Sequence, residues 1–273
     1  MKREDIVKEL VKRGYDAHME DVIKNGVVFK GIAIRDESVL APVIYTEHLI
    51  EEAETNGISL SAVVDVVIER YKKSKDIKLC ADKFTDREFI LSHVYIGMQK
   101  TSSESIEKKP CKLEGLEVFL YLRDKTESGE SYSSKLSSSV LQMINLDADT
   151  AWEQAANNTF SETRIQSVMS LLTGMDVEVA EAKSEFPPLY VITNKLQYRG
   201  ASAILDREAL RAFGKKHGIN KLVVLPSSIH EMLMVPYEDE MNMDDLSGMV
   251  REVNEQKVEP EERLTDRAYL IKL

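Results

Sequence analysis

The sequence predicts an α+β fold in which one or more hairpin-rich mixed sheets pack with several amphipathic helices. Three observations lead there. Apolar residues recur at helical spacing in separate segments, and Leu60, Val63, Val64, Val67, Ile68 and Tyr71 form the widest such stripe. Asn25-Gly26 stands between two strand-like runs, and because both central residues of a type I′ turn need positive φ, the pair signals a hairpin. Further strand-like runs arrive as neighbours joined by short turns, among separate helices, which fits segregated rather than alternating α and β units.

In chain order, Ile6, Val7, Leu10 and Val11 share one face of a helix over Glu4 to Arg13, with Gly14 at its C-terminal cap. The run ending in Val22 and Ile23 and the run Val27 to Ile34 form the hairpin. Pro42 breaks the chain before a helix from Thr46 to Thr55, which Asn56 and Gly57 close, and Ser59 caps the helix with the wide stripe. Arg87 to Met98 suits a buried helix or a strand, and its length favours a helix. Thr101 to Pro110 reads as an exposed polar loop, Leu116 to Leu122 as a strand and Thr126 to Tyr132 as a polar turn. Ser133 to Ile144 reads as a second strand paired with the first, its serines forming a small-residue edge rather than a linker.

Trp152, Ala155 and Ala156 share a helix face after Asp147 or Asp149, with Trp152 expected in the core. Ile165, Val168, Met169 and Leu172 share another helix face after Ser161, ended by Gly174. Beyond Pro187 and Pro188 come a strand Leu189 to Thr193, a turn Asn194 to Gly200 and a returning strand Ala201 to Leu205. Asp206 caps a helix carrying Leu210, Phe213 and His217 that ends at Gly218. Lys221 to Leu225 and Met232 to Val235 are strands around the turn Pro226 to His230, and Ala268 to Leu273 is a terminal strand. If the helix from Arg207 to His217 spans the sheet, Lys221 to Leu225 runs parallel to Ala201 to Leu205, and the Asn194 and His230 turns fall at opposite sheet ends. The chain divides into an N-terminal α/β half, 1–125, and a C-terminal α+β half, 126–273, or forms one continuous domain, 1–273.

Charge narrows the functional classes. The 273 residues include 36 Lys and Arg against 47 Asp and Glu, a net charge of -11. Most of it is local: from Glu231 to Asp266 the chain carries 12 acidic residues against Arg251, Lys257 and Arg263, a net of -9. Nucleic-acid binding depends on Lys and Arg neutralising phosphates, so direct DNA or RNA binding is not expected. The acidic segment also carries Leu246, Met249, Val250 and Val253 at i, i+3, i+4 and i+7, which predicts a solvated helix with a core-facing stripe. No apolar run approaches the ~20 residues of a membrane span, so no membrane association is expected. Lys2, Arg3, Glu4 and Asp5 lead straight into an amphipathic pattern without a secretory signal, so the cytoplasm is the expected compartment. Cys80 and Cys111 cannot build a disulfide scaffold.

Several chemistries can be tested on spacing alone. His230-Glu231 suggests a zinc protease, but Met234 stands where the second His would fall four residues on. His18, His48, His93, His217, His230 and the two cysteines show no paired ligand spacing, so neither metal nor cofactor is expected. Ser228 and His230 in extended chain share a face yet lie ~7 Å apart, too far for proton transfer, and no Gly-x-Ser-x-Gly elbow exists. No glycine-rich phosphate loop occurs, and Asp206 would repel an anion at its own helix start.

Pro188-Leu-Tyr-Val-Ile-Thr-Asn194, Gly200-Ala-Ser-Ala-Ile-Leu205, Leu225-Pro-Ser-Ser-Ile-His-Glu231, Met249-Val-Arg-Glu-Val-Asn254 and Leu264-Thr-Asp266 resemble, in that order, the blocks of an uncharacterised bacterial family, domain of unknown function 5688. The Asn25-Gly26 hairpin, Pro42-Val-Ile-Tyr45 and Ala156-Asn-Asn-Thr159 resemble it too. The resemblance implies a soluble bacterial protein built as one full-length family domain, and it supplies no catalytic residues. The expected function is a binding or interaction module for a protein partner or a small ligand. Its expected surface is the Ser227, Ser228, His230 and Glu231 turn with the neighbouring acidic segment, and Asn194 is a candidate in a separate turn. A metal-independent hydrolase using Ser228 and His230 is one rival. An acidic inhibitor that imitates a phosphate backbone toward a basic partner is the other.

Overall fold

The computed structural model describes residues 1–36, 43–76, 83, 85–125, 131–175 and 187–273. Pro42, Cys80 and the 126–130 part of the expected polar turn lie outside them. The chain divides into two compact units, Met1–Thr85 with Asp124–Tyr132, and Asp86–Arg123 with Ser133–Leu273. No helix among the described residues is long and apolar enough to cross a membrane.

In the first unit, α1 (Arg3–Lys12) precedes the strands β1 (Asp16–Lys24), β2 (Val27–Arg35) and β3 (Val43–Tyr45), then α2 (Glu47–Asn56) and α3 (Leu60–Asp76). Asn25 at φ 48° and Gly26 at φ 83° make the tight turn, which sets the register Lys24 opposite Val27 in an antiparallel sheet ordered β1-β2-β3. Ile6 and Leu10 of α1, Ile32 and Ile34 of β2 and Val64 and Val67 of α3 bury one shared core. Gly57 ends α2 at φ 64°, and the Ser59 hydroxyl accepts from the Ala62 amide at the start of α3.

The second unit holds α4 (Arg87–His93), β4 (Val94–Lys100), β5 (Lys108–Pro110), β6 (Leu116–Lys125), β7 (Ser131–Lys135), α5 (Ser138–Met143) and α6 (Ala148–Phe160). It continues with β8 (Thr163–Ser167), α7 (Val168–Thr173), β9 (Tyr190–Asn194), a 3₁₀ helix (Gly200–Leu205) and α8 (Arg207–His217). β10 (Lys221–Ser228), β11 (Glu231–Pro236), α9 (Met243–Lys257) and β12 (Tyr269–Lys272) complete it. In one sheet β6 pairs with β4, β5 and β7, and the other runs β12-β10-β11-β9-β8. The class is α+β, as expected, but the described pairings are antiparallel rather than mixed.

Five segments depart from their expected form, each for a local reason. The helix over Arg87 to Met98 stops at His93, because from Val94 onward every residue to Lys100 pairs with β6. The polar stretch to Pro110 ends in β5, whose Lys108 to Pro110 pair with β6. The Ser-rich segment is a strand only to Lys135; beyond Ser137, Val140 and Leu141 lie in α5. Ile165 belongs to β8, and the helix starts at Val168 with Ser167 as its cap. Ala201 to Leu205 coil into the 3₁₀ helix, whose Gly200, Ala201, Ser202 and Ala203 are all buried and small enough for close approach to β9.

The Asn158-Thr159 pair of α6 serves the outer edge of β4. Thr159 accepts the Ile96 amide at 2.9 Å, Ser202 donates to the Ile96 carbonyl at 2.6 Å, and Asn158 donates to the carbonyls of Leu91 and Val94. Trp152 is buried in the same helix, as expected, and its indole N–H donates to Glu107 at 2.9 Å.

Candidate functional site

The expected separation of the two polar turns does not hold. β9 and β10 each lie antiparallel to β11, so they run in the same direction and the turns that follow them share one end of the sheet. The inference failed because it counted Ala201 to Leu205 as a strand; as a 3₁₀ helix, the segment adds no reversal. Gly200 permits the approach, since a Cβ there would lie 2.7 Å from the His230 carbonyl oxygen and 2.4 Å from the Thr193 hydroxyl.

Backbone and side chains then tie the turns together. Asn194 is buried, its amide donates to the Tyr198 carbonyl at 2.8 Å, and its carbonyl oxygen accepts the Leu196 and Tyr198 amides. Arg199 sits at φ 51°, and its amide donates to His230 Nδ1 at 3.1 Å. That bond leaves Nδ1 as the acceptor, so the ring proton is on Nε2, which faces Glu262 Oε1 at 3.1 Å. Thr193 donates to the His230 carbonyl at 2.8 Å. Ser228 accepts the His230 amide at 3.0 Å, a local turn bond.

Thus Ser228 meets the backbone of His230 rather than its ring, and both ring nitrogens are engaged elsewhere. The geometry holds a turn together and does not assemble a nucleophile with a base. Ser227 faces the opposite way, into an apolar groove on the sheet, and half-buried Glu231 opens β11 opposite Ser228. Among the described residues no three His, Cys, Asp or Glu side chains gather in a way that would hold a metal ion.

Beside the turns, β4 and β6 present a face that sequence reasoning missed. Alternation puts Gln99, Gly97 and Tyr95 across from Glu117, Phe119 and Tyr121. Gly97 leaves room for the Phe119 ring, which a Cβ would meet at 2.5 Å. Lys135 Nζ lies 5.0 Å from the centre of Phe119, Arg199 lies 5.7 Å from Tyr121, and Arg123 lies 3.7 Å from Tyr95. Buried Glu117 accepts from Gln99 at 2.8 Å and Ser102 at 2.7 Å and pairs with Lys108 at 3.2 Å, while Lys135 joins Gln99 to Glu104. Burial alone would raise the Glu117 pKa, but these donors outweigh it and leave it below the usual value. Burial likewise pushes the Tyr121 phenol up to about 12, so it stays neutral. The only sequence signal was the run of Ser, Glu and Lys between Thr101 and Pro110, which read as a solvated loop.

The acidic helix α9 also departs from expectation. Val250 is 6% exposed and faces the core, but Met249 is 63% exposed and Val253 53%. They line a groove of about 750 Å³ together with Leu246, with Val168, Met169 and Leu172 of α7, and with Leu225, Leu233 and Val235 on one face of β10 and β11. Leu172 is 77% exposed. Exposed Asp245 and Glu252 lie four residues before and three after Met249, so they border the groove on the same side of the helix.

Comparison with curated proteins and with solved structures returns no match. The sequence model described as "Family of unknown function (DUF5688)" matches residues 2–272, nearly the whole chain, and so the chain belongs to that family.

Proposed function

We propose that this protein is a binding module whose groove between α7 and α9 takes a partner-protein helix bearing an apolar stripe flanked by Lys and Arg. The observation that carries the reading is the convergence of Leu172, Met249 and Val253, all more than half exposed, on a concave aliphatic surface. Exposed apolar patches of this kind cost solubility unless something covers them. Burying each such side chain contributes about 1.5 to 3 kcal/mol, enough in sum to offset part of the cost of ordering a partner helix. Met169 and Met249 suit a groove that adapts to its ligand.

Charge selects the occupant. With a local net of -9 over Glu231 to Asp266 and with Asp245 and Glu252 at the rim, a second copy of the same surface would be repelled and a basic flank attracted. The polar turn at His230, whose groups satisfy one another, supports a structural role beside the groove rather than a hydrolytic one. The proposal takes the cytoplasm as the compartment.

Selection from a displayed library of 15-residue helical peptides tests the reading. The expected peptides carry apolar residues at i, i+3, i+4 and i+7 with Lys or Arg beside them. They should bind the Met249→Glu and Val253→Glu proteins at least about tenfold more weakly and weaken with salt. Selected peptides that bind those variants equally well, or that carry acidic flanks, overturn it.

A further inference from the structure

The second unit contains another cavity, of about 780 Å³, bounded by the 110–114 turn, the start of α8 and β12. Its floor is aliphatic, with buried Leu113, Ile204 and Leu210. Its charged lining runs against the character of the chain. Lys112, Arg207, Arg267 and Lys272 meet a single acid, Glu114, a local excess of three positive charges on a protein of net charge -11. Arg267 is paired with Glu114. Among the described residues Lys112, Arg207 and Lys272 form no ion pair, and all three are exposed. The adjacent carboxylates have other tasks: Asp206 accepts the Ala209 amide at 2.9 Å, and Asp266 accepts from Asn254 at 3.0 Å.

Like charges facing one concave surface repel one another, and a low-dielectric floor strengthens the field they share. An arrangement that costs stability in the empty state is relieved by an anion. A cavity of this size takes a small organic molecule rather than a lone ion. We propose that it binds a small amphiphilic anion, an apolar body ending in a phosphate or carboxylate, with the body on Leu113, Ile204 and Leu210 and the charged end toward Arg207, Lys272 and Lys112. Cys111 also lines the cavity, and burial raises its pKa, so it is present as the neutral thiol and adds no competing negative charge.

Calorimetric titration of the whole chain with n-decyl phosphate, n-decanoate, n-decylammonium and inorganic phosphate tests this at matched ionic strength. Decyl phosphate or decanoate should bind one per chain, whichever of the two is tighter naming the head group. Decylammonium should show no saturable binding, and inorganic phosphate should bind at least about tenfold more weakly. Replacing both Arg207→Gln and Lys272→Gln should weaken the anion at least about tenfold without moving the thermal midpoint. Met249→Glu in the separate groove should leave it unchanged. Equal binding of decylammonium, equal binding of inorganic phosphate, or binding indifferent to the double replacement overturns the inference. Loss of binding in Met249→Glu also overturns it, by assigning the amphiphile to the other groove.

Discussion

The backbone amide of Arg199 donates to Nδ1 of His230 at 3.1 Å, and this bond joins two turns that lie 31 residues apart in the chain. His230→Ala removes the acceptor, the contact with Glu262 and the ring that lies 5.5 Å from Tyr198. A loss of about 1 to 3 kcal/mol in urea unfolding is expected, without a gain or loss of peptide binding in the groove. An unchanged midpoint would show that the turn is not held by this residue.

Gly200→Ala should be more damaging. Its new methyl would meet the Asn194 amide nitrogen and the His230 carbonyl oxygen at 2.7 Å each, both backbone atoms that cannot rotate away. A destabilisation of about 2 kcal/mol or more is expected, with the amides of Arg199 and Ala201 losing hydrogen-exchange protection first. Gly218→Ala offers the comparison: nothing lies within 4 Å, and strain there comes only from φ 70°.

These turns show where the sequence was readable. Local rules carried the helix ends and the first hairpin: Asn25-Gly26 demanded positive φ, Asp147 and Asp206 accept amides three residues on, and Gly57 and Gly218 close their helices in the left-handed region. What local pattern could not resolve was where an apolar run changes period. Arg87 to Met98 has helix and strand in succession, and only pairing with β6 decides the break at His93. Reading Ala201 to Leu205 as a strand reversed the polarity of everything after it, so Asn194 and His230 were separated although each had been singled out. The groove was invisible for a related reason. Leu246, Met249, Val250 and Val253 fit a core stripe by spacing, but how far the chain around them covers that stripe is a tertiary fact.

Glu117 predicts an acid response. Its native pKa is lowered, so its contribution to stability is present above the ordinary value of 4.5 and is lost as pH falls through the native value. Glu117→Gln keeps an acceptor for Gln99 and Ser102 but removes the charge facing Lys108. At neutral pH the variant should be less stable by about 2 kcal/mol, and the gap should narrow as pH drops below 4.5. Unfolding curves at several pH values would show it, and a constant gap would mean that the carboxylate charge is not what the network uses.

The two faces of α9 make opposite predictions. Val250→Ala, in the core, should cost about 1 to 3 kcal/mol. Met249→Glu, one residue away on the groove side, should change stability by about 0.5 kcal/mol or less. If Met249→Glu proves the more destabilising, the groove is packed in solution and no partner helix can enter it.

The polar side chains on β4 carry a consequence of another kind. An unpaired outer strand invites a neighbouring chain to extend the sheet, the first step toward insoluble aggregates. Thr159 and Ser202 occupy the amide and carbonyl of Ile96, and Asn158 occupies the carbonyl of Val94, so the middle of this border offers no continuous row of free groups to a newcomer. The short Ala156-Asn-Asn-Thr159 block then has a task independent of any ligand: it keeps copies of the protein from stacking on one another as their concentration rises.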